Sequence, residues 1–138
     1  MAESQALELG ELLAFLVDLW RRSSLAINEL AAASGIRYYH FLQPNQYVAG
    51  AKPIGRDEAR TATPNDAYRR TVEAAFPLLR EAGHALAARG VRFHDLTSAF
   101  ANHPEPLYID NCCHFNKPAN LIVADLIFDA ISRDLPAR

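Results

Sequence analysis

Between residues 108 and 120 the chain reads YIDNCCHFNKPAN, placing His114 four residues after Asp110 with Cys112 and Cys113 between them. An imidazole in a polar loop titrates near neutral pH, so it can take a proton from a reacting group and return it. A carboxylate within reach of the other ring nitrogen fixes the tautomer and stabilises the imidazolium that forms during reaction. Acyl transfer to water needs a nucleophile, a base, a group that orients the base, and donors for the oxyanion. This stretch offers two of the four, with His114 as base and Asp110 as its partner.

The remaining reactive side chains have plainer readings. Cys112, Cys113 and His114 together with His40 or His94 make a conceivable zinc ligand set, because structural zinc sites favour thiolate and imidazole. Adjacent cysteines lack the spacing of the usual paired-ligand turn, so small buried thiols packing behind the histidine loop are the preferred account, and neither metal nor cofactor is expected. His94 and Asp95 imitate a dyad, but neighbours on a strand point to opposite faces. His40 and His84 are read as structural. Gln43 and Asn45 stand where a strand gives way to a loop and could line a substrate cleft; turn formation around Pro44 is the simpler role. Ser4, Ser23, Ser24 and Ser34 lie in or beside helix-patterned segments without a strand-to-helix elbow, as surface or packing serines do.

These groups need a scaffold, and hydrophobic periodicity sketches one. Leu9, Leu12, Leu13, Leu16, Leu19 and Trp20 recur at helical spacing, which predicts a helix over 6–34 with one buried face, stopped at Gly35. IRYYHFLQ predicts a strand over 36–43. Residues 44–64 hold proline and glycine without a sustained period and read as a long loop. Thr63-Pro64-Asn65-Asp66 looks like an N-cap with proline at the first helical position, opening a helix over 65–89 that Pro77 should kink. VRFHDLT predicts a second strand, over 91–95. Strand, helix and strand in that order imply a parallel pair, hence an α/β fold. The histidine block at 108–120 then leads into an apolar helix over 118–133, expected to be buried.

Composition narrows the classes. The chain has 138 residues, half of them hydrophobic, enough for one domain with a real core. A net charge of −2 excludes the broad positive field that draws nucleic acid. No apolar run is long enough to span a bilayer. The two cysteines are neighbours and cannot staple distant segments.

The order strand, acid, histidine, short polar turn and helix in residues 108–120 resembles the histidine block of the SGNH (GDSL-type) hydrolases. HFLQPNQY, the helix from Tyr68 to Gly90, and GVRFHDLTSAF extend the resemblance over almost the whole chain. It implies an α/β fold that is part of a flavodoxin-like three-layer sandwich, helix-rich, with a short parallel sheet and its N-terminal strands missing. It also implies ester hydrolysis, with His114 as general base and a small-molecule ester, such as an acylated carbohydrate or lipid, as substrate. The family places its aspartate three residues before the histidine, where Asn111 stands here. Orientation therefore falls either to Asp110, the preferred reading, or to the neutral Asn111 amide. Ala119 occupies the position where the family often has glycine before Asn120. The family's Gly-Asp-Ser block and oxyanion-hole residues have no counterpart, so residues 1–138 are expected to be the C-terminal segment of such a domain, inactive alone. Alternatives are a non-catalytic α/β module that binds a partner, or itself, through an uncovered sheet edge, and a Cys/His metal-binding module.

Overall fold

The computed structural model describes residues 8–135. Its two strands are each launched by the same device. Helix α1 (Leu9–Ala33) ends with Gly35 in the left-handed region at φ 68°, its N–H donating to the Ala32 carbonyl while Ile36 N–H reaches back to Ala31. Helix α3 (Asp66–Ala88) ends likewise, with Gly90 at φ 86° donating to Ala87 and Val91 to Leu86. This double closure satisfies carbonyls that the helix leaves free, and only glycine enters that conformation without strain. Strand β1 (Tyr39–Leu42) follows the first stop and β2 (Arg92–Asp95) the second. They pair in parallel, Tyr39 opposite Arg92 and Leu42 opposite Asp95. Helix α4 (Lys117–Arg133) closes the described chain. The fold is helix-rich α/β around a two-stranded parallel sheet.

Alternation along the strands separates two faces. His40 and Phe93 turn toward α1 and α3, where Trp20 packs at a tilt against His40 with ring centroids 4.4 Å apart and Leu25, Leu86 and Val91 form a buried cluster. Gly83 permits this approach, because a Cβ there would fall inside the Phe93 ring. Tyr39, Phe41 and His94 stack on the opposite face, the Phe41 and His94 rings 5.0 Å apart. Arg92 shares that face and reaches Asp134 beyond the end of α4 at 2.7 Å. A second cluster of Ala62, Phe100, Leu107, Tyr108 and Ala119 sits under the start of α4.

Four expectations are corrected. The loop over 44–64 contains a two-turn helix, α2 (Arg56–Ala62), which the sequence hides because its N-cap, Gly55, supplies no side-chain cap. The cap of α3 is Asn65, accepting from Tyr68 N–H at 3.1 Å, so Pro64 lies outside the helix. The stripe of α1 is not buried: Leu13 is, while Leu9, Leu12, Leu16 and Leu19 are 38–50% exposed. Nor is α4 buried, for Leu121 and Phe128 are 57% and 69% exposed and only Ala119 is fully covered. A two-stranded sheet is too narrow to cover a helix that is apolar on nearly every side. β1 is also shorter than the expected strand over 36–43, and residues 6 and 7 of the expected first helix lie outside the described residues, as does Ser4.

Candidate active site

His114 sits in a tight excursion between β2 and α4 whose two ends are tied together. Tyr108 and Phe115 form an antiparallel bridge, Ile109 N–H donates to the His114 carbonyl, and Asn116 N–H donates to Leu107. Inside that closure the backbone curls around one carboxylate. Asp110 Oδ1 accepts from the N–H groups of Cys112, Cys113 and His114 at 2.9, 3.1 and 3.3 Å, and Oδ2 meets His114 Nδ1 at 2.5 Å. Of the two candidates for orienting the ring, it is Asp110 whose side chain reaches it. Asn111 contributes its backbone carbonyl to the Tyr47 hydroxyl at 3.1 Å.

The Asp110 carboxyl is held well below the ordinary carboxylate range. Its hydrogen bond to the His114 ring is the main cause and the three backbone donors add to it, outweighing the opposite effect of burial. With Nδ1 bound to Asp110, the second nitrogen of the His114 ring is free to exchange a proton. The ring is 68% exposed and the Asp110 side chain 39%. His114 lines a cavity of about 480 Å³ together with Gln43, Ile109, Cys113, Phe115 and Asn120. Gln43 follows the last residue of β1, so this cavity opens at the carboxyl edge of the parallel pair, the usual binding place in open α/β sheets.

Of the two loop residues considered for a cleft, only Gln43 lines it. Asn45 is buried, donating to the Tyr68 hydroxyl at 2.9 Å and accepting from Tyr47 N–H at 3.0 Å. The thiols of Cys112 and Cys113 are half-exposed, not buried behind the loop as expected, and their sulfurs lie 3.1 Å apart. Burial, the neighbouring Cys112 thiol and nearby charge push the Cys113 thiol up, against a lowering contact with Tyr68.

The site also depends on residues that carried no sequence signal. Gln46 Nε2 donates to the carbonyls of Ala62 and Asp110 at 3.0 and 3.2 Å. Glu58, on α2, is buried with Lys52 at 2.7 Å, and its other oxygen accepts Leu107 and Tyr108 N–H, both at 2.8 Å. The loop over 44–64 and α2 thus clamp the entry to the histidine block from behind. A helical or strand period cannot announce such contacts, since the partners are 49 and 50 residues apart.

The other look-alikes resolve into structure. Ser24 Oγ lies 2.7 Å from His40 Nδ1, but Ser24 is on the buried face of α1, 2% exposed, and has no route to a substrate. Burial lowers the His40 pKa and favours the neutral ring. His94 stacks on Phe41, and Asp95 instead accepts from Arg80 at 2.7 Å and from Thr97. Ser23 and Ser34 are exposed on or beside α1. Among the described residues no serine hydroxyl is hydrogen-bonded to His114. No family model, curated protein or solved structure matches the chain.

Proposed function

We propose that this chain is the base-bearing segment of an SGNH-type ester hydrolase, the C-terminal part of a flavodoxin-like three-layer sandwich whose earlier strands lie outside it. The observation that carries the reading is the Asp110–His114 pair, with one ring nitrogen fixed by the carboxylate and the ring open to a cavity at the carboxyl edge of a parallel sheet. His114 would take the proton of a serine supplied from outside the chain and pass it to the leaving alcohol, while Asp110 holds the tautomer and stabilises the imidazolium. The oxyanion donors would come from the same outside segment. Ile109 and Phe115 give the cavity an apolar wall, Gln43 and Asn120 a polar one. Such a lining suits a small ester with an apolar acyl group and a hydroxylated alcohol, such as an acylated carbohydrate or lipid. The outer edge of β1 is unpaired among the described residues and would receive the missing strands.

Two assays test this. The purified chain alone should not hydrolyse a p-nitrophenyl ester above the buffer rate; hydrolysis that disappears in His114→Ala would show that the nucleophile is already present. Mixing or fusing the chain with a strand–serine–helix segment of an SGNH protein should restore hydrolysis. Activity gained that way but indifferent to His114→Ala and Asp110→Ala would sink the assignment.

A second reading, a non-catalytic module that works by association, is favoured by the apolar residues exposed along α1 and α4. Phe15, Leu30 and Phe128 are 54%, 71% and 69% exposed.

A further inference from the structure

We propose that Cys112, Cys113 and His114 form a three-donor site for one thiophilic d10 cation, zinc(II) being the member of that class their chemistry fits best. The site does not depend on the hydrolase reading. Spacing alone argues against it, since neighbouring cysteines cannot make the usual two-ligand turn. The curl around Asp110 Oδ1 changes this by folding three successive peptide N–H groups onto one oxygen. As a result the two sulfurs lie 3.1 Å apart, and one ligand atom from each of the three residues falls within 4.8 Å of the other two. Zinc–sulfur bonds of about 2.3 Å at a tetrahedral angle need sulfurs about 3.8 Å apart. Rotation of either half-exposed thiol would supply the difference.

Two further features suit a cation. Asp110 already holds Nδ1, which leaves the Nε2 lone pair as donor and places a carboxylate behind the ring, the usual second partner of a metal-bound histidine. Cys113 and His114 both line the cavity, so an ion has a path in and its fourth position faces solvent or a ligand. Binding would release the two thiol protons and leave two thiolates balancing the dication. His40 and His94, the other histidines that could have joined such a cluster, take no part; one is bonded to Ser24 and the other stacked on Phe41. A cation on Nε2 and a proton taken by Nε2 exclude one another, so zinc would inhibit the hydrolysis proposed above.

Cadmium(II) titration of the full chain, purified with chelator and a phosphine reductant, tests this through thiolate-to-metal absorption. These are the chain's only two cysteines, so the band reports on them alone. Saturation at one cadmium per chain is expected, with displacement by zinc. Cys113→Ser should abolish tight binding, His114→Gln should weaken it, and Asp110→Asn should weaken it by roughly 10–100-fold. No band, saturation at one ion per two chains, or an affinity unchanged in His114→Gln would overturn the site. If Cys113→Ser folds poorly, maleimide labelling of the unmodified chain gives the same answer: one equivalent of zinc should protect both thiols, and labelling at the full rate would refute the proposal. Because these readouts need no ester, a failed site and a failed hydrolase reading are told apart.

Discussion

At the scale of single residues, the Asp110 carboxylate does two things at once, holding an imidazole with one oxygen and three backbone amides with the other. Both interactions are stronger with the ionised form, so its folded-state pKa lies below the unfolded value of about 3.9. The stability it contributes is therefore complete above that unfolded value and is lost as pH falls from there through the depressed folded one. Carbon-detected NMR of the Asp110 carboxyl should show no titration between pH 7 and 5 and a midpoint well below the ordinary range. In His114→Ala the midpoint should rise toward normal; an unchanged midpoint would mean that the backbone donors act without the ring. The pair itself was legible, because an acid four residues before a histidine in a polar loop suggests the contact. The three-amide cradle was not, since it depends on loop torsions that residue types do not specify.

At the scale of elements, strand–helix–strand and its parallel pairing could be read from period and from the glycine stops at Gly35 and Gly90. Burial could not, because an apolar stripe states that a helix can be covered and not that anything covers it. Leu9, Leu16 and Phe128 follow the expected pattern and still face outward. Gly83 shows the converse, a residue whose place in α3 looks incidental until Phe93 is seen against it. Gly83→Ala should improve helix propensity by about 1 kcal/mol. The clash with the ring should cost more, so a net loss of about 1–3 kcal/mol is expected in urea unfolding. A stabilised variant would show that α3 and β2 can move apart without penalty.

At the scale of the whole molecule, a two-stranded sheet whose β1 edge is open among the described residues is accompanied by α1 and α4, whose outer faces remain apolar. No described helix is long and apolar enough to cross a membrane. Surfaces of this kind associate, so sedimentation velocity of the chain alone should show mass rising with concentration. Phe15→Glu with Phe128→Glu should reduce it. A sharp monomer at every concentration would argue for a self-sufficient module and against a segment awaiting its other strands.

The clamp at Glu58 also bears on the order in which the molecule assembles. Its carboxylate holds Leu107 and Tyr108 across 49 and 50 residues of chain, and closing so long a loop is slow relative to forming helices. The histidine excursion should therefore acquire its shape late in folding, after α2 has docked. Once formed, its mouth should open only when the buried Lys52–Glu58 pair is broken, and removing one partner of such a pair costs about 3–5 kcal/mol. Hydrogen exchange can read this directly. The Leu107 and Tyr108 amides should be among the most protected outside the helices and strands, and Glu58→Gln should accelerate them far more than it does the amides of β1.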